Sequence, residues 1–141
     1  MKFAYKKLPA VPSEAFPNRK SVLSPIIPIT IEYRSKKIGY EALVDSGADW
    51  NIFPSLLGDI LGIDVPKGKK DNFGGIGGGS FVAYFHEVTL HIGGWPMKVN
   101  CGFSPDIPQS AFGVLGRYGF FDHFMVKFET SKEELEIKEI R

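Results

Sequence analysis

The fold of this chain is decided by one short stretch, Ala42-Leu43-Val44-Asp45-Ser46-Gly47-Ala48-Asp49. Its apolar residues predict a buried strand, which carries the Asp45 carboxylate into a site of low dielectric constant. Gly47 permits a sharp turn and lets a ligand approach the backbone, because glycine has no Cβ atom. Ser46 can form a hydrogen bond that fixes the loop. An Asp-Ser-Gly turn alone also occurs at ordinary strand ends, so two further motifs are needed to interpret it.

The second motif is a glycine-rich segment, Phe73-Gly74-Gly75-Ile76-Gly77-Gly78-Gly79, followed by the alternating pattern of a strand from Phe81. Glycines at a hairpin tip permit positive φ and large hinge motion. Ile76 is the one apolar residue at this tip and would close onto a ligand. A phosphate-binding loop is the alternative, but the segment lacks both the glycine spacing into a helix and the Lys-Ser/Thr pair of such loops.

The third motif is Val114-Leu115-Gly116-Arg117, an apolar run that ends at a glycine. It precedes a segment from Gly119 to Phe124 that we predict to be a short helix. Between the first two motifs, residues 51 to 61 predict a strand, a proline stop at Pro54 and another short helix.

In this order and spacing, the three motifs resemble the retropepsin-like aspartic protease family, the single-domain relatives of retroviral proteases that also occur in cellular genomes. The resemblance covers about residues 26 to 128. It implies an all-β, single-domain acid-protease barrel with one or two short helices, a flap hairpin and a homodimeric state. We divide the chain into a Pro-rich N-terminal arm, residues 1–25, and a protease domain, residues 26–141.

The resemblance also implies a role for each matching residue. Asp45 is the expected catalytic residue, in an active-site loop completed by Ser46, Gly47 and Ala48. Arg117 and Gly116 are expected to support this loop, Arg117 by pairing with Asp49. The expected substrate-binding residues are Asp49, Gly74, Gly75, Ile76, Leu43, Phe112 and Val114. Several have ordinary alternatives: Asp49 could only form a turn, Arg117 could be a surface charge, and the apolar residues could belong to the core.

The strand pattern around the motifs favours the same class. Strands are predicted at Ile26 to Tyr33, Lys37 to Val44, Phe81 to Ile92 and Trp95 to Phe103, and a final hairpin at Met125 to Ile140. Sixteen glycines, ten prolines and twelve phenylalanines in 141 residues are typical of short strands and many turns. Met1 to Leu8 alternates weakly and could form an edge strand of the N-terminal arm.

Composition limits the partners. The net charge is only +1 and there is no large basic block, which argues against nucleic acid as the main partner. We interpret Lys67 to Lys70, three lysines in four residues, as a solvated flap arm rather than a binding patch. No apolar run approaches the twenty residues of a membrane span, and no signal peptide is visible. With neither feature visible, a reducing cytoplasm is the default location. The single Cys101 cannot form an intrachain disulfide, alternates with apolar neighbours and is expected to be buried.

The chemistry expected of the first motif needs two carboxylates. Peptide hydrolysis without a metal or a nucleophilic side chain requires one base to activate water and one acid to protonate the product side. Two carboxylates about 3 Å apart can share one proton and divide these roles. The chain contains a single Asp-Ser-Gly, so it supplies half a site, and a two-fold homodimer would complete it.

Three functions follow as alternatives: an aspartic endopeptidase acting on polypeptide, a non-catalytic peptide- or partner-binding module on the same fold, and a structural domain of a larger assembly. No cofactor and no metal are expected. His86 and His91 would lie on opposite faces of one strand, so they are not predicted to bind a metal together.

Overall fold

A computed structural model of the protein describes residues 1–74 and 77–140. Strands make up most of the regular structure of these residues, which also include one short α-helix, α1, at Ser55–Ile60, and 3-10 turns at Val65–Lys67 and Thr130–Lys132. The strands are β1 Lys2–Ala4, β2 Lys6–Pro9, β3 Ser21–Ser24, β4 Ile26–Tyr33, β5 Lys36–Val44, β6 Ile52–Pro54, β7 Lys69–Phe73, β8 Phe81–Ile92, β9 Trp95–Ser104, β10 Gly113–Leu115, β11 Phe124–Glu129 and β12 Glu134–Glu139.

Seven strands form the main sheet, in the order β4-β5-β10-β6-β9-β8-β7. A further antiparallel pairing of β4 with β8 closes this sheet into a barrel. Two of the pairs are parallel, β10 with β5 and β6 with β9. Such parallel pairs need crossover connections, and here they bring the ends of β5, β6 and β10 to one side of the barrel.

The core lies inside this barrel because one face of each strand is apolar. In β4, Ile27, Ile29 and Ile31 are buried, whereas Pro28 between them is exposed. Phe53, Phe103 and Phe120 are completely buried and fill the interior between the crossovers. The all-β class predicted from glycine, proline and phenylalanine content is confirmed.

The short helix α1 begins directly after Pro54, as predicted from the sequence. Leu57 on this helix and Leu61 just after it are buried against the barrel. Gly58 faces Phe103, and a Cβ atom there would lie 2.5 Å from a methyl of Val65. The helix is therefore packed too closely to allow any side chain at this position.

The two ends of the chain meet in a second, three-stranded sheet of order β1-β12-β11. Phe3 of β1 pairs with Leu135 of β12, and Leu135 also pairs with Phe128 of β11. Strands β2 and β3 form a separate two-stranded ribbon. The final hairpin predicted from the sequence is thus present, and the first residues form the predicted edge strand. The division of the chain at residue 25 stays a prediction.

The predicted helix from Gly119 to Phe124 is wrong. Residues 119 to 123 form successive turns, and Phe124 already begins β11. Gly119 has a φ of +107°, which no right-handed helix can accommodate. Its N–H donates to Asp122 Oδ1 at 2.9 Å instead. Phe120 and Phe124 are four residues apart, a spacing typical of one helical face. The turns bury both side chains in the core without forming a helix.

Candidate active site

The Asp45 loop begins where β5 leaves the barrel. Leu43 and Val44 run parallel to Val114 and Leu115 of β10, and the Asp45 N–H continues this pairing by donating to the Leu115 carbonyl at 3.0 Å. Within the loop, the Gly47 N–H donates to Asp45 Oδ1 at 2.9 Å. Asp45 is half-buried, and the hydrogen bond from Gly47 within its own loop fixes the orientation of its carboxylate.

A second set of backbone contacts ties the loop to the segment after β10. The Arg117 N–H donates to the Ala48 carbonyl at 2.9 Å, and the Tyr118 N–H donates to the Asp49 carbonyl at 2.8 Å. Gly116 allows this crossing, because a Cβ atom on it would lie 2.6 Å from the Trp50 carbonyl oxygen. The expected supporting role of Gly116 thus has a steric basis in the close approach of two backbones.

Below the loop, Asn51 is completely buried and connects it to the barrel. Its Oδ1 accepts a hydrogen bond from the Gly116 N–H at 2.9 Å, and its carbonyl accepts one from the Gly102 N–H at 2.8 Å. Its Nδ2 has no conventional acceptor among the described residues. Burial raises the pKa of the neighbouring Cys101 thiol to about 12, and a weak contact with Asn51 opposes that rise. The thiol is neutral and buried, as expected from the sequence.

The predicted contact between Asp49 and Arg117 is present. Arg117 Nη2 donates to Asp49 Oδ1, and Arg117 Nη1 donates to the Ser46 carbonyl at 3.1 Å. The resemblance to the protease family implies a half-buried pair, but the Arg117 and Asp49 side chains are 49% and 56% exposed. At such exposure the ion pair stabilises the fold by at most about 1 kcal/mol, so its main effect is to hold the loop in one geometry.

The loop forms the floor of a cleft of about 600 Å³. Six of the residues predicted for the site line it: Asp45, Gly47, Ala48, Asp49, Gly74 and Val114. Five further lining residues were not predicted: Trp50, Ile52, Asn72, Phe73 and Ile107. Of these, Phe73 belongs to the glycine-rich motif, and Trp50, Ile52 and Asn72 stand within three residues of a motif. Ile107 comes from the Pro-containing loop after β9, where the sequence carried no signal.

Three other predicted residues do not line this cleft. Leu43 lies on the same sheet face as its neighbour Val114, since the two are paired in register, but it is one strand farther out. Phe112 faces a separate depression beside Tyr40, where the Lys6 ammonium lies 6.0 Å from its ring. Ser46 is exposed at the tip of the loop. Their proposed roles in binding and loop bracing stay predictions.

The roof of the cleft is a hairpin of β7 and β8, in which Phe73 pairs with Phe81. Their rings lie 5.5 Å apart between centroids. Beyond them, Gly77, Gly78 and Gly79 all have positive φ, as expected for a glycine-rich tip. The predicted closing residue Ile76 and its neighbour Gly75 lie outside the described residues.

The histidines on β8 have partners of their own. His86 Nε2 lies 2.9 Å from the Val65 carbonyl oxygen, and His91 Nε2 lies 2.7 Å from Glu32 Oε1. Across residues 1–74 and 77–140, no group of three or more potential ligands could hold a metal ion. In the same ranges, no helix has the length and apolar character needed to cross a membrane.

Comparison with known proteins gives matches in structure but not in sequence. No protein-family model matches the chain, and no curated protein is significantly similar to it. Among solved structures, the EIAV protease complexed with the inhibitor HBY-793 is 25% identical over 67% of this chain and 82% of that chain, with a TM-score of 0.48. A retropepsin-like aspartic protease from Rickettsia conorii is 15% identical over 98% of both chains, with a TM-score of 0.58.

The second of these matches spans nearly the whole of both chains, so it bears on the complete architecture. This chain therefore has the retropepsin-like aspartic protease fold.

Proposed function

We propose that the protein is an aspartic endopeptidase that cleaves polypeptides as a homodimer, with one Asp45 from each subunit forming the catalytic pair. The observation that carries this proposal is the position of Asp45. Its carboxylate lies at the end of a barrel strand, is oriented by the Gly47 N–H at 2.9 Å, and faces a cleft under the flap hairpin.

The contents of the cleft argue for a second chain. Its described lining contains two carboxylates, Asp45 and Asp49. Asp49 is already engaged by the Arg117 guanidinium, which holds its carboxylate at the edge of the loop. A single chain therefore offers one carboxylate for acid–base chemistry. A two-fold axis beside the Asp45 loop would supply its mate.

In the proposed reaction, the two Asp45 carboxyl groups share one proton. The ionised one accepts a proton from water as the water oxygen bonds to the scissile carbonyl carbon. The protonated one donates its proton to the carbonyl oxygen, which gives a neutral tetrahedral diol. The C–N bond then breaks, the nitrogen takes a proton from one carboxyl group, and a diol hydroxyl returns its proton to the other. No covalent enzyme intermediate forms.

The substrate would bind as an extended strand between the Asp45 loop and the flap hairpin. Main-chain groups of the loop and of the residues near Gly74 would form its hydrogen bonds, as in other cases of strand addition. Asp49 would bind the substrate backbone near the end of the site. The apolar lining from Ile52, Phe73, Ile107 and Val114 favours substrates with apolar side chains beside the cleaved bond.

The direct test is Asp45→Asn, with Asp59→Asn as the matched control. The substitution is nearly isosteric, so fold and association should be retained, but an amide cannot act as a base or share a proton. Asp59 is exposed on α1 and lies outside the cleft. We expect cleavage of a denatured protein or a peptide library between pH 4 and 7 to disappear in Asp45→Asn only. Full cleavage by Asp45→Asn would contradict the proposal, and peptide binding without cleavage by the unaltered protein would favour a binding module.

A further inference from the structure

A second groove adjoins the cleft, and the two share the side chain of Trp50. It has a volume of about 600 Å³ and runs along β7 and β8 on the outer part of the flap hairpin. A polypeptide that leaves the cleft past Trp50 would enter this groove directly. Its chemistry therefore bears on which polypeptides the cleft can accept.

The floor of the groove is aromatic. Trp50 contacts Phe85 of β8 edge to face, with ring centroids 5.8 Å apart, and Tyr118 packs near the same indole at 5.2 Å. Both Trp50 and Phe85 are only half-buried. They offer an apolar surface on which an extended main chain or an aliphatic stem can lie.

The wall beside this floor is positively charged. Lys69 is the cross-strand partner of Phe85, so its side chain lies on the same face of the hairpin. Within the part of the chain that the structure describes, neither Lys69 nor Lys70 forms an ion pair, whereas the Lys67 ammonium lies 3.5 Å from the Asp64 carboxylate.

Two carboxylates, those of Asp71 and Glu87, also line the groove. Their positions decide which part of the groove is positively charged. The Asp71 carboxylate accepts a hydrogen bond from the Asn72 N–H at 2.8 Å. Glu87 lies two residues beyond Phe85, opposite Asn100, and so belongs to the outer end of the groove near Lys67. Asp71 lies two residues from Lys69 on the same face of β7, toward the cleft. The part next to Trp50 combines an aromatic floor with the Lys69 ammonium, which forms no ion pair within the described residues.

From this arrangement we infer that the groove binds an acidic side chain of the polypeptide substrate, with Lys69 and Trp50 as the residues that select it. The inference rests on the proposed function for the identity of the ligand as a substrate. It also replaces the interpretation of Lys67 to Lys70 as a merely solvated arm. An acidic side chain at this point would give the Lys69 ammonium an ion-pair partner that the described residues do not supply. The aliphatic stem of that side chain would cover the rings of Trp50 and Phe85.

Strand geometry gives the expected position of the acidic residue. Lys69 stands four residues before Phe73, which lines the cleft, and at about 3.3 Å per residue this is about 13 Å. An extended substrate has the same rise. Its acidic residue should therefore lie about four positions away from the residue that contacts Phe73.

A binding experiment tests the inference without requiring cleavage. The sequence contains two tryptophans, so Trp95→Phe leaves Trp50 as the only indole fluorophore, and Asp45→Asn prevents turnover. Apolar peptides that carry Glu, Gln or Lys at successive positions are titrated into this double variant. We expect the best Glu peptide to bind roughly two- to fivefold more tightly than its Gln counterpart at low ionic strength, and the difference to shrink with added salt.

Matched lysine variants locate the effect. Lys69→Gln should abolish the preference for Glu, whereas Lys37→Gln, on the exposed end of the β4–β5 hairpin, should retain it. Equal binding of Glu and Gln peptides at every position would overturn the inference. So would tighter binding of Lys peptides, which would assign the groove to Asp71 and Glu87, or displacement of the Glu peptide by a single-stranded oligonucleotide at equal concentration.

Cleavage by the protein with Asp45 intact separates this inference from the proposed function. A higher kcat/KM for the Glu peptide, lost in Lys69→Gln, supports both. Equal kcat/KM for Glu and Gln peptides overturns the groove assignment and leaves the endopeptidase standing. A Glu preference in binding, with cleavage of no peptide, supports acid recognition by the groove and contradicts the endopeptidase.

Discussion

The floor and the roof of the cleft are built in opposite ways. In the floor, the backbone groups of Asp45, Ala48 and Asp49 are each hydrogen-bonded to residues 115–118, and Asn51 anchors the crossing from below. In the roof, the strands β7 and β8 pair with each other, but Gly77, Gly78 and Gly79 are exposed at the tip. A fixed floor beneath an open roof suits the proposed function, in which the Asp45 carboxylate is held still while a polypeptide enters.

Glycine serves both regions, for different physical reasons. At Gly116 the backbone of Trp50 occupies the space that any side chain would need. At Gly78 the surrounding space is open, and glycine is required by a φ of +83°. The first glycine permits tight packing, whereas the second permits an unusual backbone conformation. Substitution of Gly116 should therefore disrupt packing, whereas substitution of Gly78 should strain the backbone of the tip.

The largest effect is expected for Gly116→Ala. The added Cβ atom would lie 2.6 Å from the Trp50 carbonyl oxygen, and backbone atoms cannot move aside as a flexible side chain can. The crossing should be forced apart, with a loss of about 1–3 kcal/mol in the free energy of unfolding and a parallel loss of activity. Urea denaturation and peptide cleavage on the same preparation measure both.

Gly39→Ala is the control for this substitution. Gly39 lies in β5, upstream of the Asp45 loop, and a Cβ atom there meets nothing within 4 Å. We expect unchanged or slightly higher stability, because alanine restricts the unfolded chain. Equal stability of the Gly116→Ala and Gly39→Ala proteins would mean that the floor is not closely packed.

A smaller effect on stability is expected at the roof, where Gly78→Ala can be compared with Gly94→Ala. Gly94 lies in the turn between β8 and β9, its φ of +84° nearly equals that of Gly78, and neither has an atom within 4 Å of an added Cβ. Each substitution should cost about 1 kcal/mol of stability, since alanine is strained in this conformation.

Only Gly78→Ala should also lower turnover beyond its loss of folded protein, because only that glycine lies at the tip that the proposed function requires to open and close. Melting temperature and kcat, measured on both variants, separate strain from loss of motion. Equal kcat in the two variants would show that the glycine-rich tip is an ordinary turn.

The last comparison concerns Cys101, which lies beneath the floor and whose ionisation affects stability only at alkaline pH. Its pKa rises from 9.0 to about 12 through burial. The unfolded chain therefore releases the thiol proton at lower pH than the folded protein, so the thiol's contribution to stability is intact below pH 9 and lost between pH 9 and about 12. The difference in unfolding free energy between the protein and Cys101→Ala should shrink across that range.

Thiol labelling gives a second readout of the same packing. Because only the thiolate reacts rapidly, a disulfide reagent at pH 8 should leave the native protein unmodified and label it fully in urea. Rapid labelling of the native protein would show that the floor opens readily, contrary to its hydrogen bonding.

Local sequence signals predicted parts of both the floor and the roof. Strands such as Ile26–Tyr33 and Phe81–Ile92 have the predicted bounds, because alternating or continuous apolar residues are a local signal. The Asp45 loop, Gly116 and the Asp49–Arg117 contact were predictable because specific residue types stand together in short motifs. The turns at 119–123 were wrongly predicted to be a helix because Phe120 and Phe124 have the spacing of one helical face. The positive φ of Gly119, which excludes a helix at that residue, cannot be read from the sequence.

What the sequence could not predict depends on long-range contacts. Trp50 follows the Asp45 motif directly, yet only the hairpin of β7 and β8 folding beside it makes it the boundary between two grooves. Ile107 enters the cleft from a loop without any motif. The position of the Lys69 charge beside the aromatic floor of the outer groove depends on the cross-strand pairing of Lys69 with Phe85.

The central claim is that the site requires an Asp45 from each of two chains, and a mixing experiment tests it most directly. The protein and Asp45→Asn are combined at a constant total concentration, unfolded and refolded together so that subunits pair at random. A mixed dimer has one carboxylate and should be inactive, so activity should fall as the square of the fraction of unsubstituted chain. A linear fall would show that one chain carries the whole site and would contradict the account.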